Sequence, residues 1–249
     1  MNESQRIARE RDFHNQRFAD DSERAERVGR FYSAIGYGFE LFHHRVREES
    51  VDRVVLEYGC GTDGLAFALA PVASAVIGID ISDVAIERAR RIAALKKLDN
   101  VRFMVDNAEA MQLADAEVDV VVGSGIVHHL DIVKAMHEVR RVLRKGGIAI
   151  FAEPLGHNPA LNWYRKRTPE LRTEDEHPLL NRDLKTMSHE FSSMRVTYFG
   201  LIAPILGFLS EQTDPRRPFT RIVWWLDQLL CRIPGVRRFA WFSFVELRA

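Results

Sequence analysis

The chain predicts an α/β fold in which a parallel sheet is covered by helices on both faces. Three observations carry this. From Val51 onward, short and nearly continuous apolar runs alternate with segments of helical period, the pattern of strands buried on both sides. The first run, "RVVLEY", leads into Gly59, Gly61 and Gly64 at G-x-G-x-x-G spacing, where a strand turns into a helix whose N-terminus receives a ligand. The length, 249 residues with 46% hydrophobic and 28% charged, suits one sizeable domain with appended helices.

The elements follow in order. Residues 1–50 read as charged helices with interleaved aromatics (Phe13, Phe18, Phe31, Tyr32, Tyr37, Phe39, Phe42) that pack on a core. They form a helical N-terminal cap, and 51–249 is the main domain. After strand one, "GLAFALA" is a short helix closed by Pro71, and "SAVIGID" is strand two. "SDVAIERARRIAALKKL" places Ala85, Ala89, Ile92 and Leu95 on one helical face. "VRFMV" and "VDVVVGSG" are strands three and four. A helix follows with Ile132, Met136, Val139 and Leu143 on one side, and Gly146-Gly147 is expected to end it. "GIAIFAE" is strand five. The polar stretch from Pro154 to Leu180 holds four prolines and is too long for an ordinary connection, so it predicts a functional loop. "NRDLKTMSHEF" (helix), "RVTYFGLI" (strand), "RIVWWLDQLL" (helix) and "FAWFSFVEL" (strand) close the chain.

Composition excludes several classes. Net charge is zero, so nothing at whole-chain level points to nucleic acid. Cys60 and Cys231 form no C-x-x-C pair, which argues against structural zinc or a disulfide framework and for a reducing compartment. The polar start "MNESQRIARERDF" has no signal core, and "YFGLIAPILGFL" is too short to span a bilayer. The expectation is a cytoplasmic protein without an integral membrane segment and without a metal.

The glycine turn carries Glu57 and Asp63, two acids where a dinucleotide pyrophosphate would sit and be repelled. A Y-x-x-x-K reductase pair is also missing. S-adenosylmethionine, with an ammonium and a sulfonium and no phosphate, reverses the argument. At this point the sequence resembles the class I S-adenosylmethionine-dependent methyltransferases, small-molecule type. "VLEYGCGTDG" is similar to their first motif, "VIGIDIS" to the second, "VDNAEAM" to the adenine turn, and "DVVVGSGIVHHL" and "VLRKGGIAIFAEP" to the fourth- and fifth-strand segments. The similarity runs from about Val51 to Pro154, with five motifs in register.

The resemblance implies a Rossmann-like, doubly wound, mostly parallel seven-stranded sheet with an antiparallel last strand. It makes 51–154 the cofactor half and 155–249 the acceptor side. It implies cofactor contacts from Glu57, Gly59, Cys60, Gly61, Asp80, Ile81, Asp106, Asn107, Ala108 and Ser124, with Asp80 on the ribose hydroxyls. Asn107 stands where the family commonly has Asp for the adenine amino group. Its side-chain oxygen accepts the same bond, and Asp106 is the alternative.

Methyl transfer is an in-line displacement that needs water excluded, the acceptor aligned and often a proton removed. Groups for it belong at the C-terminal strand ends. The candidates are Glu153 at the tip of strand five, His128 after strand four and His157 beyond Glu153, with Glu153 expected to titrate in a partly dry pocket as the base. Tyr32, His129, Arg165 and Arg172 are candidates for the acceptor, the arginines because their forks suit carboxylates and phosphates. Trp224, Trp225, Trp241, Phe239 and Phe242 read mostly as core, yet an apolar insertion before the last strand suits a lipophilic acceptor. The predicted function is methylation of oxygen or carbon in a small natural product. A nucleic-acid or protein methyltransferase, or a non-catalytic cofactor-binding subunit, is the alternative; "GSGI" stands where amino-directed enzymes carry N/D-P-P-Y/F. Self-association through the N-terminal helices is a further expectation.

Overall fold

Five mostly apolar runs pair in parallel, the inner ones buried on both faces and the edge strand β3 only in part. In the computed structural model, which describes residues 3–19, 29–168 and 177–249, they are β1 (Val54–Tyr58), β2 (Ala75–Asp80), β3 (Val101–Val105), β4 (Val118–Ser124) and β5 (Leu143–Pro154). β6 (Ser193–Phe199) and β7 (Phe242–Arg248) complete a seven-stranded sheet of order β3-β2-β1-β4-β5-β7-β6. β7 runs antiparallel to both of its neighbours. The chain runs from β1 outward to β2 and β3, then crosses back to β4 on the other side of β1. The strand order thus reverses between β1 and β4, and a crevice opens there beyond the strands' C-terminal ends.

Helices cover both faces. α1 (Glu3–Ala19) and α2 (Gly36–Ser50) precede the sheet. α3 (Ala66–Leu69), α4 (Asp83–Leu95) and α5 (Ile132–Val142) alternate with the parallel strands. α6 (Pro159–Arg167), α7 (Asn181–Ser188), α8 (Leu206–Leu209) and α9 (Pro218–Leu230) lie beyond β5. Short polar side chains start several of them: Ser82 accepts from Ala85 N at 3.1 Å, and Asp131 accepts from Val133 N and Lys134 N. One core layer joins Phe42 and Val46 of α2 to Val55, Val120 and Ile150 of the sheet. The opposite layer joins Met136 and Val139 of α5 to Leu56, Val121 and Phe151.

Three local expectations are corrected. α5 ends at Val142, not at Gly146-Gly147, because β5 begins at once with Leu143 paired to Val118. Gly146 instead takes a positive φ of 79° inside a register shift, where five steps of β5 oppose two of β4. The buried face of α4 is Ala85, Ile86, Ala89 and Ala93; Leu95 is 84% exposed, one turn beyond the sheet. The Pro154–Leu180 stretch is not one loop. Asn158 caps α6 through Ala160 N and Leu161 N, with Pro159 in its first turn.

Asp227 on α9 ties the segment after β6 to α2. It is fully buried, and its oxygens accept from Gly200 N (2.9 Å), Ile202 N, Ala203 N and the Tyr37 hydroxyl. Burial and the facing carboxylate push the Tyr37 hydroxyl pKa far upward, so it stays a donor. Tyr37→Phe deletes one of five donors, the Cys231 thiol at 3.7 Å being the fifth, and should cost about 1.5–3 kcal/mol, read as a lower denaturant midpoint with unchanged slope.

Candidate active site

The glycine turn is built by backbone geometry first. Gly59 and Gly61 have φ of 75° and 56°, the left-handed region where a side chain is strained. At Gly64 a Cβ would overlap the Glu57 carboxylate and the Cys60 carbonyl, so the third glycine is a packing requirement. Glu57 is buried, and its two oxygens accept from Leu65 N and from Ala66 N (2.7 Å) at the start of α3. Desolvation outweighs these bonds and pushes its pKa up to about 8. Glu57 therefore braces the turn from within. Asp63, the other acid of the turn, lines the same cavity, as does Asp80.

The pH consequence has a definite sign. The folded-state pKa of Glu57 lies above its ordinary value of 4.5, so the folded chain holds this proton more tightly than the unfolded one. Its contribution to stability is greatest below that ordinary value and is lost as pH rises through about 8. Glu57→Gln should flatten this limb of the stability profile, measured as denaturant midpoints between about pH 5 and 9.

Asp80 ends β2 and bridges two segments. Its Oδ2 accepts from Gly61 N and its Oδ1 from Ser82 N, both at 2.9 Å. At the tip of β3, Asp106 accepts from Asn107 N and Gln112 N, each at 2.9 Å. The Asn107 side-chain oxygen accepts from Glu109 N at 3.0 Å. These bonds hold the turn that "VDNAEAM" forms against the crevice. The Tyr58 hydroxyl locks it further by donating to Ala108 O at 2.6 Å.

A cavity of about 610 Å³ lies over these strand ends. Its wall includes all ten residues expected at the cofactor: Glu57, Gly59, Cys60, Gly61, Asp80 and Ile81, then Asp106, Asn107, Ala108 and Ser124. His129 joins them from a short 3-10 turn, Val127–His129, after β4. α1 forms the roof. Arg6 Nη2 meets Glu109 Oε2 at 2.5 Å, Asn15 Nδ2 donates to Asp83 at 2.8 Å, and the Ser82 hydroxyl donates to Asn15 at 2.6 Å. Arg6, Glu10, His14 and Phe18 thereby face the cavity. From sequence, Phe18 reads only as a core-packing aromatic and Arg6, Glu10 and His14 are not singled out, although Glu10 and His14 stand at i, i+4 and so share a helix face.

The expected catalytic trio lies elsewhere. Glu153 is fully buried and outside the cavity wall. Its Oε1 accepts from Ile126 N (3.0 Å) and Val127 N (2.9 Å), and its Oε2 lies 2.7 Å from His128 Nδ1 and 3.4 Å from His128 N. The carboxylate is turned sideways to hold the β4 tip rather than out toward a ligand. His128 is buried with it. His157 accepts from Asn181 N at 3.0 Å and starts α7. Two acceptor candidates are also displaced. Tyr32 packs among Phe39, Trp241 and Phe242, and Arg165 donates to Leu155 O and Asn162 Oδ1 at 3.0 Å to fix α6. Arg172 lies outside the described residues.

A glycine turn under a helix start, an acid at the next strand tip and a polar turn at the third define a cofactor site of the methyltransferase type. Residues 49–200 match the model of a family described as methyltransferase domain. The chain belongs to the class I S-adenosylmethionine-dependent methyltransferases, and S-adenosylmethionine is its cofactor. It is similar to the uncharacterized methyltransferase YcgJ of Bacillus subtilis, 29% identical over 58% of this chain and 57% of that one. It thus spans little more than half the length of that relative in alignment. The YcgJ crystal structure superposes with a TM-score of 0.60 over 86% of this chain and 98% of that one, at 19% identity. A putative methyltransferase from a complex with the Haloferax volcanii Trm112 activator gives 0.63 at 16% identity, covering 94% and 96%. Geranyl diphosphate C-methyltransferase from Streptomyces coelicolor gives 0.59 at 15% identity, covering 84% and 78%. At such identities the structures share a fold and no more.

Proposed function

We propose that the chain transfers the methyl group of S-adenosylmethionine to oxygen or carbon of a small, lipophilic metabolite, as in natural-product biosynthesis in the cytoplasm. The observation that supports a small acceptor is the roof. α1 closes the cavity through Arg6–Glu109 and Asn15–Asp83, leaving room for a metabolite beside the cofactor, not for a duplex or a folded protein. Ile7, Leu65, Leu69, Ile126 and Leu130 give the wall its apolar share. The same fold takes an isoprenoid diphosphate in the geranyl diphosphate enzyme, a lipophilic acceptor with an anionic head.

The chemistry asks little of the protein. The sulfonium makes the methyl electrophilic, so alignment and exclusion of water supply most of the effect. If the acceptor must lose a proton, His43 on the wall is able to take it, as are His129, His14 and Glu10 when they hold no ion, in place of Glu153, His128 and His157. The test is an acceptor screen by mass spectrometry with isotopically labelled methyl donor. Labelled product from small lipophilic compounds is expected; label entering only RNA or protein would overturn the reading.

A further inference from the structure

We propose that Glu10, His14 and His129 form a binding site for one divalent transition-metal ion of the zinc type. Glu10 and His14 project from one face of α1, and His129 projects from the 3-10 turn after β4. All three line the cavity. Their donor atoms lie within 4.8 Å of one another. Glu10 Oε2 stands 3.6 Å from His14 Nε2 and 3.6 Å from His129 Nδ1. Donors bound at ~2.0–2.1 Å around a tetrahedral ion stand about 3.4 Å apart, so the two Glu10 spacings already match a shared ion, and the third lies within 4.8 Å. It does not match hydrogen bonds, which would draw the same pairs to about 2.7–2.9 Å.

The second observation is the state of the carboxylate. Glu10 is only 5% exposed, and among the described residues neither of its oxygens has a hydrogen-bond partner. A buried carboxylate without a donor is costly, and natural structures resolve such a group with a ligand, water or metal. Two imidazoles and one carboxylate are the donor set that suits zinc and its neighbours, while magnesium and calcium prefer oxygen alone. Three protein donors leave at least one position open. Because these side chains face the cavity, that position would take an oxygen or nitrogen donor of the bound acceptor. The ion would also tie the roof helix to the tip of β4. Metal binding of this kind does not depend on which acceptor the pocket takes.

The experiment is calorimetry of chelator-treated protein with Zn²⁺ and Mg²⁺, alongside the absorption spectrum of the Co²⁺-loaded form. One Zn²⁺ per chain at micromolar affinity or tighter is expected, with no heat from Mg²⁺ and a Co²⁺ spectrum of low coordination number. Glu10→Gln, His14→Ala and His129→Ala should each weaken Zn²⁺ at least tenfold. Melting temperatures of the metal-free variants separate loss of donors from loss of fold, and His14→Gln on α1 is a milder additional variant expected to weaken Zn²⁺ in the same way. No Zn²⁺ binding by the wild type, or binding that survives all these substitutions in folded protein, overturns the site.

An independent observation concerns the outer face of α9. We propose that this face docks on an anionic lipid bilayer. The helix buries Thr220, Val223, Trp224 and Asp227, yet its other side exposes Phe219, Ile222, Trp225 and Leu229 at 57%, 55%, 62% and 45%. Phe208 and Leu209 of α8 are exposed as well. Between residues 216 and 238 the chain has six arginines, all exposed, while the one acid there, Asp227, is buried. An apolar stripe with a tryptophan and an arginine flank complements a negatively charged membrane surface. Sedimentation with vesicles of phosphatidylcholine alone, or mixed with phosphatidylglycerol, tests this. Binding to the mixed vesicles that weakens with salt, and drops at least fivefold in Trp225→Ser/Phe208→Ser, is expected. No binding at low salt overturns it, as does a dimer in light scattering that the same double variant dissolves, since a second copy then covers the face.

Discussion

Glu153→Gln is expected to lower folding stability by about 3–5 kcal/mol, the scale of stripping one partner from a buried charged network. For a chain of this length that corresponds to a melting temperature lower by roughly 10 °C. The cause is geometric. Two carboxylate oxygens serve the amides of Ile126 and Val127 and the Nδ1 of His128 inside a fully buried site. An amide side chain offers one oxygen, and its NH₂ would face a donor it cannot satisfy. Turnover per folded molecule, measured well below the variant's melting point, should stay within a few fold of wild type. A variant as stable as wild type yet a hundredfold slower would restore Glu153 as the base.

Asp80→Ala is expected to weaken S-adenosylhomocysteine binding by about 2–4 kcal/mol, on the order of 30- to 1,000-fold. Two effects add. The carboxylate that the family places on the ribose is lost, and so is the clamp that holds Gly61 N and Ser82 N in position. The second effect also separates this residue from a solvated strand end, because it should loosen the glycine turn even without ligand. Calorimetry on the folded variant decides the matter. Unchanged affinity would mean that β2 does not carry the cofactor.

The sheet was legible in the sequence because parallel strands bury both faces, so "VVLEY", "AVIGID" and "VDVVVGS" appear as nearly continuous apolar runs with little to compete with them. The cavity wall was legible for a related reason. Glycines at 59, 61 and 64 and acids at strand ends are positions that the backbone path itself imposes, and the fold gathers all ten residues on one wall. Side-chain direction was not legible. Position 153 sits at a strand tip whether its carboxylate points to the crevice or sideways to the next turn, and only the path of residues 125–130 selects the second.

The roof was hidden for a different reason. α1 is strongly polar, and Arg6, Glu10 and His14 look like solvated helix surface until the sheet's crevice is placed beneath them. A stricter test of i, i+4 pairs in the N-terminal helix would have raised Glu10 with His14. Arg165 and Tyr32 illustrate the converse, since a fork or a ring near a presumed pocket can be spent on a carbonyl or on neighbouring aromatics.

The central claim is that one cavity, floored by the strand ends and roofed by α1, holds cofactor and acceptor together. A crystal structure with S-adenosylhomocysteine tests it most directly. The account predicts ribose hydroxyls at Asp80, adenine beside Asp106–Ala108, and the sulfur directed toward Glu10, His14 and His129. A ligand seated away from Asp80, or a sulfur directed away from those three side chains, would contradict it.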